Sequence, residues 1–526
     1  MQRERLLCLA ASSGHVASLD AALAHCGCTL TSEAVTAAAA AGNATGCERL
    51  LGAGGVVADW RLWGPVKAAA EAGHLPVLQL LERNAHTEDE RRMFDDASAE
   101  GACAGGHADI LAWQQRAHGY RPKLVGAQAA AAAGQVAMLE LLLPPPPPPP
   151  PHELHPAPGP TTSAAGDGDR FRLDHDLLWG PDAAAPAAAA AAVGDDERRR
   201  AYARLRLLQG IIHGCPVEVL QRHYEPLSRG WVPARTAEGA AAAGAAPGGS
   251  AAGGALLRWP SRILADALRS PTACWRAKLD FLLSAWGPHV TDKLIRDGAA
   301  CGKAVQAATD TPDCLQRLRC LRAHGFQFNA RAAVCVSRRG HAEAMAYLWD
   351  ECGVPGPMAT PDPVGESLRE CSQTVVYGSK REVGVRLLRI LQLLAARGAV
   401  LSAEHAVIAA DCPGPEPMLL YLAEVAEPVT ERGGDLWDEA FSCAAQNGAG
   451  LAALRVLRQR RGAAVDPAAV AEGGSEEALD WAAAELVAEG SGLRPLSHVS
   501  ARHVAFSGNT ACLAWLRSRA LLPPGL

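Results

Sequence analysis

Four histidines of this 526-residue chain directly follow a glycine, at Gly14–His15, Gly73–His74, Gly106–His107 and Gly340–His341. A recurring imidazole is the first pattern that could gather a metal ion. Equivalent residues on stacked helices, however, lie about 8–10 Å apart, and zinc needs each ligand within about 2.1 Å of one ion. The spacing therefore predicts that each imidazole hydrogen-bonds to an adjacent unit. Cys26 and Cys28 beside His25 lack a second Cys/His pair at finger spacing, so they read as core or solvent-edge thiols. Between Gly298 and Gly302-Lys303 stand three residues where a phosphate loop needs four, and Ala304 replaces the metal-binding hydroxyl. His152-Glu-Leu-His155 is one residue short of the zinc-protease spacing. Neither a serine elbow nor a dinucleotide glycine fingerprint occurs. The expectation is a non-catalytic protein with no catalytic residue, metal site or cofactor.

The elements that carry the histidines are short helix pairs. Gly64 to Asn84, GPVKAAAEAGHLPVLQLLERN, reads as an alanine-faced helix, a stop at Gly73–His74, and a second helix with Leu78, Leu80 and Leu81. Gly73 can take the left-handed conformation that closes a helix, and Pro76 suits the first turn of the next one. The same grammar breaks at Gly14, Gly42, Gly106 and Gly134, so successive breaks fall 28 to 33 residues apart. It resumes near Arg200 with a break at Gly214, where Pro216 matches Pro76, and again with Pro312 in a first turn. Further units break at Gly340, around Pro413–Pro417, and at Gly448, Gly474 and Gly508. Ser32, Ser402 and Asp435 are candidate helix caps.

Between the two runs, Pro144 to Pro151 cannot continue a helix and predicts a stiff polyproline II rod of roughly 25 Å. The following Pro/Ala/Gly/Asp stretch, with an apolar island at Phe171–Trp179, predicts a disordered insertion. The expected organisation is residues 1–143 as one stack, 144–199 as linker, and 200–526 as a second stack with a Gly/Ala loop near 238–255.

Composition limits the alternatives. Of the 50 Lys+Arg only six are lysine, the formal net charge is −6, and no basic stripe runs along the chain, so nucleic-acid binding is not indicated. The clusters Arg198–Arg200 and Arg458, Arg460, Arg461 read as solvated helix faces, with a nuclear-import patch the alternative. Sixteen cysteines without a framework of spacings, several in apolar helical patterns (Cys103, Cys335, Cys443, Cys512), imply a reducing compartment. No apolar run approaches the ~20 residues that span a bilayer, which leaves a cytoplasmic or nuclear protein as the expectation.

The A-A-x-x-G-H break, the V/I/L-L-x-x-L/W second helix and the glycine-bearing loop resemble ankyrin repeats over most of 1–143 and, less regularly, 200–526. The usual T-P-L-H start is missing. The resemblance implies an all-α, ankyrin-like helical-repeat solenoid in two stacks separated by the proline/alanine-rich insertion, with finger loops and a concave first-helix face as the binding palm. Large side chains in those loops are the candidate partner-binding residues: Trp60, Arg61, Trp63, Tyr120, Arg121, Trp231, Phe326 and Phe328. Trp113, Trp349, Trp481 and Trp515 in the second helices read as packing between units. The expected function is a protein-interaction scaffold; a substrate adaptor of a ubiquitin-ligase or other enzyme assembly and a helical-repeat RNA-binding protein are the alternatives. An SH3/WW-type module is a candidate partner for Pro144 to Pro151.

Overall fold

The structure, a computed structural model, describes residues 2–25, 32–52, 63–85, 87–145, 172–173, 178–179, 193–228, 250–355, 362, 364–365, 368–369, 380–427 and 433–523. Every regular element among them is helical. The chain forms two packed units, 1–294 and 295–526.

The first unit contains α1 (Gln2–Ser12), α2 (Val16–His25), α3 (Ser32–Ala40), α4 (Ala44–Gly52), α5 (Trp63–Glu71), α6 (Leu75–Glu82), α7 (Glu88–Gly105), α8 (Ala108–His118), α9 (Leu124–Ala132) and α10 (Val136–Leu142). It continues with α11 (Val193–Gly214), α12 (Val217–Leu227), α13 (Ser250–Arg269) and α14 (Trp275–Arg296), whose last turn holds the unit boundary. The first helix of each pair packs on the first helix of the next, in the order α1, α3, α5, α7, α9, α11, α13, and α2, α4 and α6 pack likewise. Alanines dominate the buried positions of the first helices (Ala34, Ala38, Ala69, Ala70, Ala130, Ala131), while Leu50, Leu78, Leu81 and Leu139 fill those of the second.

In the second unit the pairs are α15 (Gly298–Thr309) with α16 (Cys314–Ala323) and α17 (Ala330–Arg338) with α18 (Ala342–Asp350). Then come α19 (Lys380–Ala396), α20 (Ala403–Asp411), α21 (Glu416–Val425), α22 (Gly433–Gln446), α23 (Leu451–Arg461), α24 (Pro467–Gly473), α25 (Glu476–Ala488), α26 (His498–Phe506) and α27 (Thr510–Ser518). Here α20, α22, α24 and α26 pack in sequence, and α19, α21 and α23 do the same.

Each break joins two requirements at one glycine. Gly14, Gly42, Gly73, Gly106, Gly134, Gly340, Gly448 and Gly508 all have φ between 72° and 80°. At Gly42, Gly73, Gly106, Gly134, Gly340 and Gly448 the residue after the glycine donates its N–H five residues back, as His74 does to Ala69 (2.8 Å), which satisfies a carbonyl at the helix end, whereas the His15 N–H donates to Ser13 Oγ (3.1 Å). The side chain beside that turn then reaches the preceding pair. Asn43 Nδ2 donates to the Ala11 carbonyl (2.8 Å), His74 Nε2 to Ala40 (3.1 Å), His107 Nε2 to Glu71 (3.1 Å) and His341 Nε2 to Thr309 (2.8 Å). Asn447 and Asn509 repeat the contact to Ala410 and Ala471, both at 3.1 Å. A carbonyl only accepts, so Nε2 carries the proton in these histidines. The incoming ring also packs against the earlier break: a Cβ at Gly73 would lie 2.6 Å from the His107 ring. His15 lies before the first such junction, and its exposed ring makes no hydrogen bond among the described residues.

Several sequence expectations are corrected. The proline-bearing stretch does not separate two stacks: α11 packs directly on α9, on the far side of the insertion. The reason is close backbone approach. Gly210 and Gly214, four apart on α11, lie against the carbonyls of Gln128 and Ala132, and a Cβ at Gly214 would overlap the latter. Gly214 thus serves contact, not a left-handed break. Within the insertion, two residues of the apolar island have surface to bury: Leu173 and Leu178 are buried, Leu173 N–H donates to Leu142 (2.8 Å), and Arg204 donates to the Leu178 carbonyl (2.8 Å). Residues 250–255, expected in a loop, open α13, consistent with the high helix propensity of alanine; 238–249 and Pro146 to Pro151 lie outside the described residues. Pro76 does sit in the first turn of α6, but Pro216 is the N-cap of α12 and Pro312 precedes the N-cap of α16. The arginine cluster of α23 is not a solvated face. Arg461 donates to Ala423 (2.8 Å) and Ala426 (3.0 Å) at the end of α21 and lies over Trp437, Arg458 pairs with Glu489, and Arg460 pairs with Glu424 (3.5 Å).

Candidate functional site

The loop between α8 and α9 holds the best-described group of candidate residues. Gly119 (φ 65°) ends α8 and turns the chain into Tyr120, Arg121, Pro122 and Lys123. Beneath it, α7 extends beyond its neighbours because Thr87 and Glu90 form a reciprocal capping box that starts the helix early. That extension places Asp95 and Asp96 under the loop. His118 is gripped on both sides, by Asp95 through Nδ1 (2.6 Å) and by Glu82 of α6 through Nε2 (2.8 Å). Two carboxylate partners require two N–H donors, so the ring is an imidazolium. Burial works to lower the His118 pKa, but its hydrogen bonds and charge interactions with Asp95 and Glu82 outweigh this and raise it. Burial also raises Asp95, so the pair holds its proton firmly. Phe94 and Trp113 pack edge-on around the ring at 6.4 and 5.3 Å.

Asp96 accepts from Lys123 Nζ (2.6 Å) and from the Tyr120 hydroxyl (3.3 Å), while the Lys123 ammonium lies 5.8 Å from the Tyr120 ring centroid. Burial first, then the Asp96 charge, pushes the Tyr120 phenol far up. The cluster takes up its charges internally, each carboxylate by a cation of the same group. It can hold a loop in one shape and present a ring edge and the exposed Arg121, which makes no ion pair among the described residues.

The other candidates divide. Trp63 opens α5 and is 39% exposed. A Cβ at Gly101 would overlap the Lys67 carbonyl and one at Gly105 the Glu71 carbonyl, so α5 and α7 run parallel with residues 34 apart level, which sets Trp63 beside Ala97. Phe326 is fully buried and Phe328 half-buried. Phe326 follows Gly325 (φ 92°) and donates its N–H to Leu321 (3.1 Å), so its ring folds back over the end of α16 as the apolar partner of that turn. It therefore has no surface to offer a partner. Trp60, Arg61, Trp231, Cys26 and Cys28 lie outside the described residues. The sequence reading passed over Glu82, Asp95, Asp96 and His118; in a helix that also carries Glu88, Asp89, Glu90, Arg91, Arg92 and Glu100, the Asp95–Asp96 pair gives no distinct signal.

A second constellation, Ser402–His405–Asp362, has the membership of a hydrolytic triad. His405 Nε2 lies 2.9 Å from Asp362 Oδ1, and Ser402 Oγ lies 3.0 Å from Nδ1. The Ser402 backbone N–H also donates to Nδ1 at 2.9 Å and occupies its single lone pair. The serine is the N-cap of α20, and this geometry is a helix start.

The described cysteines are free thiols. Cys103 is packed against α9, and burial pushes it up to about 12, so it stays protonated. Among the described residues no group of His, Cys, Asp and Glu is arranged to hold a metal ion, and no helix is long and apolar enough to cross a membrane. The chain matches no protein-family model and no curated protein sequence.

Proposed function

We propose that each unit is an ankyrin-like helical-repeat stack and that the protein is a scaffold that binds other proteins through its finger loops and first-helix faces. The observation that carries this reading is the repeated junction from Asn43, His74, His107, His341, Asn447 and Asn509 to the preceding pair. It uses the break side chains to hold layer on layer and leaves the loop ends and first-helix faces as surface. Trp63 and Arg121, both exposed, are residue types that dominate interface energetics. Affinity purification of the full chain from nuclease-treated extract tests the proposal. Retained proteins that are lost with Trp63→Ala/Arg121→Ala support the palm; loss of all partners on nuclease treatment would instead favour an RNA-binding protein.

A further inference from the structure

We propose that the first-helix face of α11 and α13 is a docking site for an extended acidic segment of a partner protein, a refinement that rests on the scaffold reading above. The two helices lie in a definite register. Gln209 Nε2 donates to Asp266 Oδ2 (2.6 Å) and Ser270 Oγ to the His213 carbonyl (2.6 Å), so residues 57 apart are level. Tyr202 of α11 therefore stands level with Trp259 of α13, and Arg206 stands beside Arg262. Tyr202 is 52% exposed and Arg206 is exposed. The Arg262 guanidinium lies 5.5 Å from the Trp259 ring centroid, which holds its plane against an aromatic face.

The charge around these residues is unbalanced. Asp266 is the carboxylate beneath them; burial raises its pKa, Gln209 hydrogen-bonds to it, and the charges of Arg269, Arg206 and Arg262 oppose the rise. Three guanidinium groups thus surround one carboxylate. Arg269 approaches it at 3.9 Å, while Arg206 and Arg262 make no ion pair among the described residues. A chain of net charge −6 thereby carries a local excess of positive charge flanked by two rings. Arginine forks bind carboxylates bidentately, and neighbouring rings supply apolar contact. Helix layers about 8–10 Å apart match carboxylates three residues apart in an extended polyproline II chain, which rises about 3.1 Å per residue and turns once every three residues, so that both carboxylates share one face. The complementary ligand is therefore an extended segment with Asp or Glu at every third position and aromatic or aliphatic residues between them.

Fluorescence anisotropy of the full chain tests this with a labelled 12-residue peptide bearing glutamate at every third position among Phe and Ala. The comparators are the same composition with its glutamates clustered, a lysine counterpart, and a 12-nucleotide oligouridylate. The spaced acidic peptide should bind most tightly. Arg206→Glu/Arg262→Glu should weaken it about tenfold or more, and Arg206→Gln/Arg262→Gln and Tyr202→Ala should weaken it less, with helicity by circular dichroism unchanged. Equal binding of acidic and basic peptides, no loss in the arginine variants, or tighter binding of the oligonucleotide would overturn the proposal. Proteins retained from nuclease-treated extract equally by wild type and the Glu variant, and not displaced by the peptide, would sink the acidic site alone. A chain that retains no protein at all would sink the scaffold reading as well.

Discussion

Gly302 and Gly214 both lie inside helices, yet their surroundings give opposite expectations. Nothing lies within 4 Å of where a Cβ would stand at Gly302 in α15, so Gly302→Ala should stabilise the protein by roughly 0.5–1 kcal/mol through lower unfolded-state entropy. At Gly214 the methyl would overlap the Ala132 carbonyl, a backbone atom that cannot step aside, so Gly214→Ala should cost roughly 1–3 kcal/mol. Urea midpoints of the two variants check both signs. His118 gives a pH-dependent case. Its folded pKa is raised above the ordinary imidazole value, so the native state binds more protons. The stability it adds is fully present below the unfolded imidazole value and is lost as pH rises through the folded one; the raised Asp95 acts in the same direction. The melting temperature should fall as the pH is raised above about 6.5, the ordinary imidazole value, and His118→Gln should flatten that fall.

At the scale of the helix pair, stability comes from closing each turn and joining it to its neighbour. Phe326 illustrates the closing function. Truncating a fully buried ring costs about 3–5 kcal/mol, so Phe326→Ala should lower the unfolding midpoint of the second unit sharply, while Phe328→Ala at a half-buried position should do much less. Chemical denaturation of the single variants distinguishes them, and equal effects would refute the assignment of Phe326 to the core. The tryptophans of the second helices also belong to the pairs. Trp515 donates to Asp480 (2.9 Å) and carries Arg519 over its ring at 4.0 Å, which ties α27 to α25. Trp481 reaches Glu485 (3.2 Å).

For the molecule, the consequence of α11 packing on α9 is that a cut at the proline run leaves a bare face. Residues 1–294 expressed alone should melt cooperatively and be strongly helical. Residues 1–143 expose the α9 surface that Gly210 and Gly214 approach, so they should melt at a lower temperature and aggregate more readily. Differential scanning calorimetry of the two fragments decides between a boundary at the insertion and one near Leu294.

Helix pairs, break glycines and their back-bonding histidines could be read directly from the sequence, because each depends on residues within a few positions: a left-handed glycine, an alanine face, a leucine stripe. The hydrogen bonds of His74, His107 and His341 were legible for the same reason, since a unit that repeats repeats its contacts. Where the chain divides was not legible. The packing of α11 on α9 turns on two glycines placed opposite carbonyls some 80 residues away, and proline composition says nothing about whether a chain that leaves a stack returns to it. Nor could loop position separate Arg121, which faces solvent, from Phe326, which seals a helix end. Local chemistry determines the turn; which side chain it buries depends on neighbours that only the folded chain brings within reach.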